Sequence, residues 1–337
     1  MVGCPVNHVN TRLIDLEQNG YREIVSWFCT IISIVSLHQV INEFSNTMPV
    51  NDNHMNRKEE LHALLKLTPE AMLQQAQDRL EIVDTLDDLH RHLARDIADT
   101  IIANNREKAP TVLILPYGPT GQFPLFIDLV NRERITLKNC TFFFMDEYCD
   151  RQGNVLNPRC HLSFKGSMQQ YWPQISEDLR LPDNRIIFPN ESNIQYLDQW
   201  ISEAGGIETC YGGIGIHGHI AFNEPEPDVS HTNPRLVELH PSTITMNAIR
   251  SEVGGDLENF PSSAYTLGMR QILSARKIRL YCRNDIPGIQ WANAVLRLAV
   301  LGEPGDDYPV THIRSHPDWK IITDVNTARP AKHVLVC

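Results

Sequence analysis

The chain contains no C-x-x-C pair. Its eight cysteines, Cys4, Cys29, Cys140, Cys149, Cys160, Cys210, Cys282 and Cys337, are scattered, which argues against a structural zinc site. Without a pairing pattern they read as reduced thiols in a cytosolic protein. Basic charge is also scarce. Thirty Lys and Arg against 41 Asp and Glu leave a formal net charge of −11. A nucleic-acid binder would carry a basic face, so no nucleic-acid partner is expected. An anionic ligand must then be met by local positive charge or by backbone amides. No apolar run is long enough to span a bilayer. The most apolar, IVSWFCTIISIVSL at residues 24–37, has 14 residues, short of the roughly 20 a spanning helix needs. It lies too far in, behind Asp15, Glu17 and Glu23, for a standard signal peptide. It reads first as a buried helix in an N-terminal extension, with a membrane or partner contact as the alternative; no membrane partner is expected. Internal repeats and low-complexity tracts are missing too.

What remains is a chain of 337 residues with 42% hydrophobic and 21% charged content, enough for one large domain and an extension. Residues 45–60 are polar and aperiodic and read as a linker. Thr68 as cap with Pro69 at the first helical position predicts a helix over 68–80. LEIV at 80–83 is a short strand candidate. Leu86, Leu89, Leu93, Ile97 and Ile101 recur at helical spacing behind Asp84 or Thr85 as cap. TVLILP at 111–116 reads as a buried parallel strand, followed by a glycine-containing loop and a helix near 122–133. CTFFFMD (140–146), RIIF (185–188), IETCYGGIG (207–215), KIRLYC (277–282) and WKIITD (319–324) continue the strands, with helices near 193–204 and 289–301. This alternation predicts a doubly wound α/β fold, a mostly parallel sheet with helices on both faces. Residues 1–77 would form a helical extension and residues 78–337 the α/β domain.

Three stretches could carry chemistry. LPYGPTGQF at 115–123 is a strand, a turn and a helix start. Such a turn either aims free N–H groups at an anion or is a plain connection. It is not a P-loop, because the spacing and lysine of G-x-x-x-x-G-K-[ST] are missing, and Pro119 removes one donor. FFFMDEYCD at 142–150 sets Asp146 and Glu147 at the end of a buried strand, where ligands of open α/β sheets bind. Burial there would raise a carboxyl pKa and suit a base; a helix cap or salt bridge is the plainer role. YGGIGIHGHIAFNEP at 211–225 holds Gly212, Gly213, Gly215 and Gly218 with His217, His219 and Glu224. So many glycines are costly unless the backbone must approach something closely. The H-x-H-x₄-E spacing also occurs in metal-binding jelly rolls, but the helices predicted here disagree with that fold. His90, His92, His240 and His316 receive no role.

Taken together, FFFMDEY and, about 70 residues later, GGIGIHGHIAFNEP resemble the glucosamine-6-phosphate deaminase (isomerase) family, which is related to 6-phosphogluconolactonase. The family pattern is M-D-E-Y, then G-G-x-G-x-D-G-H-I-A-F-N-E-P. YTLGMRQIL at 265–273 and SHP at 315–317 extend the resemblance over roughly residues 78–330. It implies a metal-free, cofactor-free enzyme acting on a sugar phosphate, with glucosamine 6-phosphate going to fructose 6-phosphate and ammonia. Asp146 would be the base that shuttles the C1/C2 proton. His219 would open the ring, oriented by Glu224. Gly118, Thr120 and Gly121 fall on the family's phosphate turn, and Arg250 where it has a phosphate-binding arginine.

Departures from the pattern are specific. His217 replaces the family's aspartate among the catalytic residues; once protonated it would depress the pKa of His219, where an aspartate would raise it. The G-G-T-P turn is G-P-T-G. The phosphate lysine after KIRLYC has no counterpart, although Arg283 is close by. Of the arginine–lysine pair in regulated members, Arg235 fits and Val237 stands where lysine would be. Three rival readings accompany the first: an isomerase of another sugar phosphate, a 6-phosphogluconolactonase-like hydrolase, which FNE disfavours, and a sugar-phosphate sensor without turnover. A homo-oligomer is left open.

Overall fold

A computed structural model describes residues 56–335. The apolar run at 24–37 lies outside the described residues. In chain order the structure runs α1 (Arg57–Leu64), α2 (Pro69–Ala76), β1 (Leu80–Val83), α3 (Leu86–Arg106), β2 (Thr111–Leu115), α4 (Gln122–Arg132), β3 (Cys140–Phe144), β4 (Asp146–Cys149), α5 (Phe164–Met168), β5 (Ile186–Ile187), α6 (Leu197–Glu203), β6 (Thr209–Gly213), β7 (Arg235–Glu238), α7 (Pro241–Arg250), β8 (Ser263–Thr266), α8 (Met269–Leu273), β9 (Lys277–Cys282), α9 (Asn293–Leu301), β10 (Trp319–Asp324) and α10 (Val325–Ala328). Among the described residues no helix is long and apolar enough to cross a membrane.

Seven strands form one parallel sheet in the order β1-β10-β9-β6-β2-β3-β5. Side chains alternate across it. Val112 and Ile114 of β2 enter one apolar cluster with Met72, Leu197, Met269 and Leu296. Leu113 and Leu115 enter the other, with Leu89, Leu93, Phe123 and Phe126. Both faces are therefore covered, and the strands read as continuous apolar runs for that reason. Thr85 caps α3 by accepting from the Asp88 N–H at 3.1 Å, and Thr68 caps α2 by accepting from Ala71 N–H at 3.3 Å.

Two features differ from expectation. The linker read over 45–60 gives way to helix at Arg57. No hydrophobic period announces α1, because polar contacts hold it: Arg57 Nε pairs with Asp307 at 2.8 Å, and Glu60 accepts the Glu303 N–H at 2.6 Å. The second is a three-stranded antiparallel sheet, β4-β8-β7. CTFFFMD does not form one strand. Pairing with β2 ends at Phe144, and after Met145 the chain turns into β4, with Asp146 opposite Thr266. Asp146 thus sits at the corner between the two sheets.

Candidate active site

Chain order fixes where a ligand can enter. From β2 the chain moves outward through β3 to β5; it then returns to β6 beside β2 and proceeds through β9 to β10. The direction of winding reverses between β2 and β6, and a crevice opens at their carboxyl ends. The turn after β2 and the glycines after β6 meet there. A Cβ on Gly213 would lie 3.1 Å from the Gly118 carbonyl oxygen, so glycine permits this approach. A cavity of about 580 Å³ occupies the crevice. Gly118 and Thr120 line it, as do Asp146, His219, Arg250 and Arg283. Gly121 does not; it precedes α4 and abuts His90, whose ring nitrogen lies 2.3 Å from where a Gly121 Cβ would stand.

Asp146 is 8% exposed, and its carboxylate has no hydrogen-bond partner among the described residues. Burial, with the charge of Glu147 added, pushes its pKa up to about 8. Glu147 faces away from the cavity into a different task. It accepts the backbone N–H groups of Phe164 at 2.9 Å, Lys165 at 2.7 Å and Tyr148 at 3.1 Å. Burial still raises it to about 7 against those bonds. The plainer role, a helix cap, thus belongs to Glu147, which ties the start of α5 to β4. That leaves the unpaired carboxylate to its neighbour.

His219 Nδ1 lies 3.1 Å from Glu224 Oε2 and 3.4 Å from the Thr243 hydroxyl on α7. The His240 backbone N–H donates to the other Glu224 oxygen at 3.4 Å. Burial works against a charge on Glu224, but His219 and these donors hold it at about 2. An ionised Glu224 accepts from Nδ1–H, which leaves Nε2 for chemistry. That nitrogen lies beside Gly215, where a Cβ would stand 1.8 Å from it. His217 is not among the residues lining the cavity. Its ring meets His240 edge-on, with centroids 4.1 Å apart. Burial and the nearby His240 lower its pKa, with Glu224 opposing and His219 adding to the fall. His217 is thus held towards its neutral form, which weakens the repulsion of His219 that its sequence position suggested. Among the described residues no three His, Cys, Asp or Glu side chains converge as metal ligands.

Part of the cavity wall is cationic. Arg250, at the end of α7, and Arg283, directly after β9, both contact Asp285. Arg283 approaches the turn after β2: its Nη2 is 3.9 Å from where a Gly118 Cβ would be. Sequence reasoning left Arg283 without a register. Its position, one residue past a buried parallel strand, was the available signal. Asp285, His90, Tyr148, Asn247 and Thr243 were not anticipated. His90 lines the cavity from near the start of α3. Burial lowers its pKa, and Arg283 lowers it further, with Asp87 and Asp285 opposing. Arg235 pairs with Glu226 and with Asn223 at 2.9 Å.

No protein-family model matches the chain. It is 32% identical over 254 residues to a glucosamine-6-phosphate deaminase of Borrelia garinii, covering 73% of this chain and 89% of that protein. It is 30% identical to the enzyme of the same name from Thermoanaerobacter pseudethanolicus, covering 71% and 91%. Against that of Mycoplasma mycoides the identity is 29%, over 70% and 92%. Among solved structures, a monomeric glucosamine-6-phosphate deaminase matches with a TM-score of 0.64 at 24% identity, covering 74% of this chain and 98% of its own. The 6-phosphogluconolactonase of Trypanosoma cruzi matches with 0.52 at 17% identity, covering 75% and 96%. The structural likenesses speak to the fold alone.

Proposed function

The chain belongs to the glucosamine-6-phosphate deaminase family of enzymes, and we propose that it converts glucosamine 6-phosphate to fructose 6-phosphate and ammonia. One observation carries the reading: Asp146 and His219 line the same cavity, and Arg250 and Arg283 line its cationic end. A bound hexosamine phosphate lays its phosphate on Gly118, Thr120 and the two guanidiniums, which match phosphate through forked N–H pairs. Gly121 acts indirectly, as the start of α4. The sugar then spans towards the carboxylate and the imidazole.

The steps follow from the groups available. His219 gives its Nε2 proton to the ring oxygen and takes up the C1 hydroxyl proton in its place, and the ring opens. Glu224, ionised well below neutral pH, stabilises the imidazolium and fixes its tautomer. Asp146 takes the proton from C2 and returns it at C1, moving the carbon–nitrogen bond to the imine level. Water adds at C2 and ammonia leaves. Asp146 must be ionised to act as base, and in the empty cavity burial resists that. The protonated amine of the substrate, placed beside it, supplies the missing opposite charge and lowers its pKa again. An amino sugar therefore activates its own base, which a sugar phosphate without an amine does not.

Incubating the purified chain with glucosamine 6-phosphate and following both products tests the proposal. Equal amounts of ammonia and fructose 6-phosphate are expected. Neither product would overturn it. His217 supports a second reading, isomerisation of another sugar phosphate that carries no amine at C2, because it replaces a carboxylate beside the ring-opening group. Fructose 6-phosphate formed from glucose 6-phosphate, with no ammonia released from glucosamine 6-phosphate, would favour that reading. His217→Asp restores a carboxylate next to His219 and should raise ammonia release severalfold if the departure limits the rate. Unchanged release would remove His217 as the limiting group.

A further inference from the structure

Asp285 carries a feature that the reaction above does not use. Its carboxylate lines the cavity and is shared by both cations of the anion-binding end. Arg250 Nε donates to Oδ2 at 3.0 Å and its Nη2 to Oδ1 at 3.2 Å, while Arg283 Nη2 lies 2.9 Å from Oδ2. The Trp291 indole N–H donates to Oδ1 at 3.2 Å. The Arg250 guanidinium also stacks on the Trp291 ring at 4.5 Å. Both oxygens of one fixed carboxylate are thus engaged by the fork that a phosphate would need. We propose that Asp285 is a resident anion that competes with the substrate's phosphate for the Arg250 and Arg283 guanidiniums, and so sets the affinity of this end of the site.

The physical argument is one of charge and geometry. Two guanidiniums and one carboxylate leave the end with a single net positive charge. A dianionic phosphate seated there meets two attractions and one repulsion, all among largely buried side chains where each is stronger than in water. Arg250 does not depend on Asp285 alone for its position. Its Nη1 donates to Asn247 Oδ1 at 3.1 Å, and Asn247 Nδ2 in turn donates to the Tyr148 hydroxyl at 2.8 Å. Removing the charge of Asp285 therefore frees the guanidinium for a ligand without freeing it to wander.

The inference rests on the reading of this end as the phosphate site. It is tested without turnover, so its failure leaves ammonia release as an independent test of the reaction. Inorganic phosphate is titrated calorimetrically into the full chain and into Asp285→Asn, which keeps the shape and one acceptor oxygen. The variant should bind phosphate about tenfold more tightly or better. Asp285→Ser serves the same purpose if the amide disturbs packing, with native circular dichroism as the check on folding. Glu252→Gln removes a negative charge from the wall of the same cavity without touching either guanidinium, and less than a threefold change is expected. Equal or weaker phosphate binding in a folded Asp285 variant would overturn the proposal, making Asp285 a positioning residue. Equal tightening in Glu252→Gln, or no phosphate binding in any of the proteins, would overturn it as well.

Discussion

Asp146→Asn is expected to lower kcat by about three orders of magnitude, within the range of a lost general base, and yet to melt at a higher temperature than the parent at alkaline pH. The two effects have one cause. The folded chain holds this carboxyl at about 8 by burial and by the charge of Glu147, well above its ordinary value in an unfolded chain. Between those two values the unfolded state has lost the proton and the folded state retains it. Stability is therefore present below the unfolded pKa and is lost progressively as pH rises towards 8. Asparagine never ionises and escapes that loss. The melting advantage of the variant should be small near pH 5 and grow up to pH 8.5. Glu147, itself raised to about 7, is present in both proteins and cancels to first order in the comparison. In the parent, kcat/KM should climb with pH towards 8, since it reports the free enzyme's base. A variant that keeps a tenth of the activity, or a melting difference independent of pH, would remove Asp146 from this role.

That corner residue also shows where the sequence was legible and where it was not. β2 was readable because it is buried on both faces and almost wholly apolar, and β9 and β10 because apolar residues dominate them despite the half-buried Lys277, Arg279 and Lys320; TVLIL, KIRLYC and WKIITD end within a residue of their predicted limits. The antiparallel sheet was not readable. RLVE of β7 alternates half-buried and exposed residues, and DEYC of β4 is fully buried although two of its four residues are acidic. Neither follows the pattern that marks the parallel strands, and a pairing made across 120 residues leaves no local period. The same limit applied in the site. Asp146, His219, Glu224 and Arg250 stood in motifs. His90 and His240 did not. His240 caps α7 by accepting from Ser242 N–H at 3.2 Å, and its own N–H reaches Glu224. That double use exists only once β7 and α7 have folded beside residues 219–224. Arg283 was visible as a charge at a strand end, but its approach to Gly118 depends on β9 lying two strands from β2, with β6 between them, which is decided by the strand order and not by any spacing in the chain.

The glycines after β6 separate a functional constraint from a conformational one, and their alanine variants should fail in opposite ways. Gly215 does not occupy the left-handed region, so alanine suits its backbone. The new methyl would stand 1.8 Å from His219 Nε2 and 2.1 Å from Cε1. These atoms are the free end of a side chain, which can rotate aside at little cost to the fold. Rotation takes Nε2 away from the ring oxygen and pulls Nδ1 off Glu224, so ring opening loses both its acid and its orienting carboxylate. Gly215→Ala should lower kcat by about two orders of magnitude or more and shift the melting temperature by little. Gly218, in contrast, has φ +69° and packs against Tyr308 and Val310. Alanine there meets left-handed strain of about 1–2 kcal/mol, so Gly218→Ala should lose stability first and activity only in proportion to the unfolded fraction. Kinetics and melting curves on the same two preparations distinguish the cases. If Gly215→Ala keeps near-parental kcat while folded, the imidazole tolerates displacement and cannot be the group that opens the ring.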